Sequence, residues 1–401
     1  MEWFNDQPLR PRPHIAVLFY DALGDFVIIT PLLRGLKEKY PDCTLDYFSG
    51  ERTRELEEAL PYIDARFSVF GNPNALTELP AFLAERRAAA GEYDLVINCD
   101  FHPTMAFVAH MLQPRYVVGK CYAADLREEA PRAPGKRHQL HDEFWSAPDL
   151  LQRYGDILRS TYIGEIWCRL AFVETDFYRT EVPTQDPACD IPEVLISTGG
   201  RRPAKLWSRD YWKQVIDWCF AQGYRVGLLG DKPQRQSAVY HTGDTESWLL
   251  EQTPLIDLRG QFSLPQVAGA LARAKACVSV DNGIMHIAYS VRTPTIALFG
   301  ASPWMVWTPP VPHLHLILPD EPCSKCYENR FRNAACLLPR HQCMLSVRPE
   351  RVIERLQAVL CDYKCLCVGF STCPPPNLPR GRGRSRDSLP ARGEGWGGGD
   401  V

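Results

Sequence analysis

The chain has 401 residues, 45% of them apolar, and a formal net charge of −3. That length suggests two domains with ordinary globular cores, and the near-balanced charge gives no reason to expect a nucleic-acid partner. No run of 18 apolar residues occurs, and the N-terminus MEWFNDQPLRPRPH lacks an apolar h-region, so neither a membrane-spanning helix nor a secretory signal is expected. The expected location is the cytoplasm, with peripheral association at a membrane's cytoplasmic face left open.

The first apolar run, Ile15 to Tyr20, reads as a buried strand, and Ile28, Leu32, Leu36 and Tyr40 recur at helical spacing after it. The turn between them, Asp21-Ala-Leu-Gly-Asp25, therefore sits at a strand's C-terminal end, where open α/β sheets place ligands. One glycine, no lysine and two carboxylates make it a poor phosphate cradle. Asp25 is left with two readings, chemistry or a cap on the helix. Pro31 lies past a first turn and predicts a kink or a late helix start.

Further along, strands are expected at 44–49, 66–70, 94–99 and 116–119. Helices are expected at 52–60, 79–90, 104–112 and 154–163. Residues 120–150 are polar and proline-rich and read as a long surface loop. After a turn-rich linker at 183–192 the pattern restarts. Strands are expected at 194–197, 225–229, 254–258, 276–280 and 295–299, with helices at 209–221, 264–274, 283–290 and 349–360. Repeated β-α with apolar strands describes parallel, doubly wound sheets. The fold class expected is α/β of the GT-B type, two Rossmann-like domains (14–185 and 190–362) whose sheets face an interdomain cleft. Residues 374–401 are set apart as a disordered tail, since Pro, Gly and Arg fill 17 of the 28 positions.

Two loops in the second half suit an anion. Ser197-Thr-Gly-Gly-Arg-Arg-Pro-Ala-Lys205 offers glycines, the Thr198 hydroxyl and three cations beside a strand end. Asp281-Asn282-Gly283 leads a strand into a helix carrying His286 in its first turn, where free N–H groups and the dipole favour an anion. Helix capping by Asp281 and Asn282, with His286 packed inside, explains the same residues. Gly230-Asp231, with Gln234 nearby, makes a third strand-end loop. Together they suggest a nucleotide-diphosphate site.

LGDFVIITPLLRGLKEKYPD, YDLVINCDFH, STGGRRPAKLWSRDYW and LRGQFSLPQVAGALARAKACVSVDNGIMHIAYSVRTPTIALFGAS, in that order, resemble the glycosyltransferase family 9 heptosyltransferases over roughly residues 14 to 360. The resemblance implies transfer of heptose from ADP-heptose to a lipopolysaccharide core or another cell-surface glycan, at the cytoplasmic face of the inner membrane. It implies that Asp25 is the general base and that Lys205 binds the donor phosphates. Asp281, Gly283 and His286 match the family's D-[TS]-G-x-x-H donor motif, and Asn282 stands where Thr or Ser is usual. Gly200 and Arg201 fall where threonines are common, and Phe262 falls where an apolar residue lines the nucleoside pocket. Such enzymes invert the anomeric centre without a metal, and no DxD-like motif is present. The alternatives are a family 9 transferase with another nucleotide sugar or a protein acceptor, and a non-catalytic sugar-nucleotide-binding protein.

Fifteen cysteines are many for a reducing compartment. Cys99, Cys219 and Cys277 lie within expected elements and read as small buried apolar residues. Cys323, Cys326, Cys336 and Cys343 have the C-x2-C-x9-C-x6-C spacing of a four-thiolate knuckle, for which structural Zn or Fe is the candidate occupant. Some family 9 relatives that modify proteins carry a cysteine-ligated metal in a comparable place.

Overall fold

In the computed structural model, residues 1–127, 130, 135–233 and 241–368 are described, with side chains to Cys361. The 374–401 tail and Gln234 lie outside them. Two six-stranded parallel sheets lie within one compact unit, Met1–Leu360; a second unit comprises Cys361–Val401.

The first sheet holds β1 (Glu2–Trp3), β2 (His14–Leu18), β3 (Thr44–Gly50), β4 (Ala65–Phe70), β5 (Leu95–Asn98) and β6 (Tyr116–Gly119), in the order β1-β6-β5-β2-β3-β4. The second holds β7 (Val194–Ser197), β8 (Val226–Leu228), β9 (Ile256–Asp257), β10 (Ala276–Val280), β11 (Thr295–Leu298) and β12 (Leu314–Ile317), ordered β12-β11-β10-β7-β8-β9. Central strands β2, β5, β7 and β10 are buried at every residue, as continuous apolar runs require when helices cover both faces. Edge strands β1 and β12 escape sequence reading: one has two residues, and the other, LHLI, alternates too briefly.

The helix after β2 runs Leu23–Lys39 without a break at Pro31, so it starts early rather than late. Pro31 cannot donate to the Val27 carbonyl four residues back. The Thr30 hydroxyl donates to that carbonyl instead, at 2.8 Å. Every side chain from Phe26 to Leu36 is buried, because the helix packs against both Ile163–Leu170 and Gly283–Ser290.

The helix expected at 154–163 is instead two, Leu150–Tyr154 and Ile163–Leu170, with a turn between. Buried Glu165 fixes that turn by accepting from the backbone N–H groups of Arg159 (2.7 Å) and Ser160 (2.8 Å). Part of the expected surface loop is core as well. Leu140 and Trp145 are buried, and the Trp145 indole N–H donates to the Leu140 carbonyl. Cys99, Cys219 and Cys277 are buried apolar residues, as expected.

Beneath the first sheet, fully buried Asp46 accepts from the His14 ring (2.8 Å), the Tyr93 hydroxyl (2.8 Å) and the Arg86 guanidinium. Burial alone would raise this carboxyl, but His14 and Arg86 outweigh it and hold it below its usual value of 3.8. Its contribution to stability is therefore present above that value and lost as pH falls through the folded value. Asp46→Ala should cost about 3–5 kcal/mol by stranding Arg86 and Tyr93. Urea midpoints at pH 7 and pH 3 should differ less in the variant than in the parent; an equal difference would contradict this account.

Candidate active site

Asp25 lies in the first turn of the Leu23–Lys39 helix, three residues past the N-cap position at Ala22. It therefore does not cap the helix. Its side chain is partly buried at the end of the β2 edge. Burial pushes the carboxyl up to about 7; Arg201 and Lys205 oppose the rise, and Asp100 and Asp281 add to it. Asp21 keeps the bland role. It is buried, accepts from the Arg52 N–H at 2.8 Å and lies against Gly50, fastening the loop after β3.

Opposite stands the turn from β10 into the helix Gly283–Ser290. Asn282 caps this helix: its Oδ1 accepts from Met285 N–H (3.1 Å) and Ser279 (3.0 Å). Its amide nitrogen donates to Ser197 (3.0 Å) and to the Gly199 carbonyl (2.8 Å), tying β10 to the β7 loop. Asp281, 5% exposed, pairs with the Lys205 ammonium at 2.6 Å. Burial alone would raise the Asp281 carboxyl, but Lys205 and His286 hold it far below the usual range. His286 is also buried, its Nδ1 bonded to the Tyr289 hydroxyl at 2.8 Å and its Nε2 3.8 Å from Asp281. Capping thus falls to Asn282 and not to Asp281, and His286 is buried as the capping reading describes.

One pocket brings together Gly24, Asp25, Arg201, Lys205, Asp281, Asn282, Gly283 and His286, with Ala22, Leu23 and Trp307 completing its wall. Arg201 reaches across from the second half, its guanidinium 3.2 Å from the Tyr20 hydroxyl after β2. Three expected residues lie outside the wall. The Thr198 hydroxyl donates to Glu246 at 2.8 Å, Gly200 makes a two-way backbone bridge with His241, and Phe262 packs on the apolar core beneath β7 and β10. Arg202 also turns away, donating to the carbonyls of Phe331 (2.9 Å) and Ala301 (2.5 Å). Trp307, half-buried, has no local motif that could have marked it beforehand.

Two glycines let the opposing helix starts meet. A Cβ on Gly24 would sit 2.8 Å from the His286 ring, and one on Gly283 would sit 2.7 Å from Leu23. Gly24→Ala must therefore push the Asp25 turn off the His286 helix. We expect on the order of 10²-fold lower kcat with the fold intact, since ångström misplacements cost about that much. Unchanged steady-state kinetics in this variant would show that the close approach is dispensable.

The family model described as glycosyltransferase family 9 (heptosyltransferase) matches residues 84–335. The chain belongs to glycosyltransferase family 9. It is a glycosyltransferase. Lipopolysaccharide heptosyltransferase 3 of Escherichia coli K12 is 24% identical over 293 residues, covering 71% of this chain and 82% of that protein. Among solved structures, a family 9 glycosyltransferase from Veillonella parvula superposes with a TM-score of 0.66 at 20% identity, over 89% of this chain and all of that one. The iron-containing dodecameric heptosyltransferase TibC of E. coli, solved in complex with ADP-D-β-D-heptose, gives a TM-score of 0.55 at 14% identity, over 91% of this chain and 81% of that one. These likenesses bear out the two-sheet GT-B fold.

Cys323, Cys326, Cys336 and Cys343 are free thiols. They share a neighbourhood: burial, then the nearby Cys326, Cys323 and Cys336, push the Cys343 thiol up to about 11. Yet the described residues include no group of three or more His, Cys, Asp or Glu side chains placed to hold a metal ion. Three of the sulfurs have protein contacts. Cys326 accepts from the Asn333 amide (3.4 Å), Cys336 accepts from Leu338 N–H (3.5 Å), and Cys343 joins the second half's core. The four-thiolate Zn or Fe site expected from spacing does not fit this arrangement. Among the described residues no helix is long and apolar enough to cross a membrane.

Proposed function

We propose that this family 9 enzyme moves heptose from ADP-heptose onto a lipopolysaccharide core or another cell-surface glycan, with inversion at the anomeric carbon and without a metal. Peripheral attachment at the cytoplasmic face of the inner membrane suits such an acceptor. The observation that carries the reading is the single pocket in which an acidic residue of one half faces the cations and helix N-terminus of the other. Its relatives' names, and the ADP-heptose bound by TibC, supply the choice of sugar.

In this mechanism Asp25 takes the proton of the acceptor hydroxyl as its oxygen attacks C1. The bond from C1 to the diphosphate oxygen breaks on the opposite face. Charge growing on the leaving diphosphate is offset by Lys205, Arg201 and the N–H groups that open the Gly283 helix. Asp281 holds Lys205 in place and is available to a sugar hydroxyl, with His286 behind it. Trp307 presents an aromatic face to the C–H side of a sugar ring, so Trp307→Ala should raise KM for a substrate more than it lowers kcat. A KM unchanged in that variant would remove Trp307 from the binding wall.

A carboxyl raised to about 7 suits a base working near neutrality. Because the base must be ionised, kcat/KM should rise with pH through about 7 and level off above it. A turnover assay with ADP-heptose, UDP-sugars and GDP-sugars against a panel of glycan and protein acceptors tests the assignment. ADP-heptose with a lipopolysaccharide-type acceptor should be the most productive pair. Turnover confined to another donor or to a protein acceptor would replace the substrate reading, and no turnover with any donor would favour a binding protein.

A further inference from the structure

Asp100 stands on the loop after β5, in the stretch Asn98-Cys-Asp-Phe-His102, and nothing so far gives it a task. β5 pairs with β2 in register Leu18↔Asn98, and Cys99 N–H donates to the Leu18 carbonyl at 2.8 Å. That pairing puts Asp100 at the same strand-end edge from which the Asp25 turn departs. One oxygen, Oδ1, is spent on the His102 N–H at 2.8 Å. The other, Oδ2, is buried and has no hydrogen-bond partner among the described residues, on a side chain only 7% exposed. A buried carboxylate oxygen without a hydrogen bond costs free energy, and such costs are most often met at functional sites.

We propose that Asp100 is a positioning residue for the transfer reaction, a fixed carboxylate behind Asp25 that keeps the base ready to accept the acceptor's proton. The inference rests on Asp25 being the base. The charged and titratable groups around Asp25 are Asp100 on its own sheet edge, Tyr47 on β3 and, from the second half, Arg201, Lys205, Asp281 and His286. Arg201 and Lys205 favour ionised Asp25 and would weaken it as a base. Asp281 is itself neutralised by Lys205 at 2.6 Å. Among the described residues Asp100 makes no ion pair, with the nearby His102 ring the only charge favouring its own, so Asp100 is the carboxylate that most directly opposes the two cations at Asp25. Burial raises Asp100 as well. Like charges held together in a low-dielectric site take up the first proton readily, and the pair then titrates as a unit. Bound donor would engage Arg201 and Lys205 with its diphosphate, leaving Asp100 as the fixed neighbour on the acceptor side.

The test is the pH profile of kcat/KM for the parent, Asp100→Asn, Asp100→Glu and Asp100→Ser. The serine hydroxyl can keep the contact with the His102 N–H should the asparagine variant fail to fold. The neutral variants should move the acidic limb down by roughly 0.5–1 pH unit and lower the plateau kcat several-fold, with donor KM unchanged. The glutamate variant, which keeps the charge, should restore the parent's limb. A limb that stays in place in the folded neutral variants overturns the inference. So would independent titration of the two carboxyls, followed by carbon-13 signals in the unaltered protein. Asp25→Asn, run beside them, separates the two levels. Turnover retained there defeats the base assignment itself, whereas a dead Asp25→Asn with an unmoved Asp100→Asn limb defeats only the role of Asp100.

Discussion

Asp25→Asn should lower kcat on the order of 10²–10⁴-fold while leaving donor affinity within a few-fold of the parent's. The amide is nearly isosteric, so the first turn of the Leu23–Lys39 helix keeps its shape while the proton acceptor is lost. Stability should move the other way. Folding raises this carboxyl from 3.8 to about 7, so the folded state favours the protonated form. The favourable contribution is present below the unfolded value and is lost as pH rises through about 7. At pH 8 the ionised aspartate therefore strains the fold, and the asparagine variant should melt at a higher temperature than the parent. Calorimetry at pH 8, with donor titration and initial rates, reads all three quantities. Turnover within tenfold of the parent's would eliminate Asp25 as the base, and a lower melting point would contradict the burial argument.

Lys205→Ala should harm both stability and catalysis, and the two losses can be separated. Removing the ammonium strands Asp281, a 5%-exposed carboxylate whose ion pair at 2.6 Å offsets its burial. Breaking such a pair costs about 3–5 kcal/mol. If Lys205 also meets the leaving diphosphate, kcat should fall on the order of 10²–10³-fold and donor KM should rise. The double variant Lys205→Ala/Asp281→Asn removes the stranded charge. It should regain most of the lost stability and none of the lost turnover. Recovery of turnover along with stability would mean that Lys205 serves the fold alone.

Much of this architecture is legible because strands buried on both faces must be written as unbroken apolar runs. Ile15–Leu18, Leu95–Asn98, Val194–Ser197 and Ala276–Val280 announce themselves in that way. The edge strands are mixed: Ala65–Phe70 and Ile256–Asp257 fall at expected strands, whereas Leu314–Ile317 does not, and Glu2–Trp3 gains its strand character only from pairing with Tyr116 and Val117. The turn at 155–162 is not legible either, since it depends on Glu165 gathering two backbone N–H groups. Residues of the strand-end loops after β2, β7 and β10 line one pocket, since the place of such loops follows from sheet topology. Which member of a loop faces the pocket is a tertiary matter. Asn282 spends its amide on Ser197 and Gly199, and Thr198 spends its hydroxyl on Glu246; those partners lie up to 85 residues away. Trp307 enters the wall from a four-residue helix with no motif. The cysteine spacing suggested a knuckle because spacing carries no distances. The acidity of the ALGD turn, which spoke against a phosphate loop, becomes intelligible once Lys205 and Arg201 stand across from it.

The central claim is direct displacement at the sugar's anomeric carbon by an acceptor hydroxyl, with Asp25 taking the proton. Proton NMR of the glycoside formed from ADP-heptose reads the stereochemistry of that step. The account predicts a product whose anomeric configuration is opposite to the donor's, formed in step with ADP. A product that keeps the donor's configuration would contradict it.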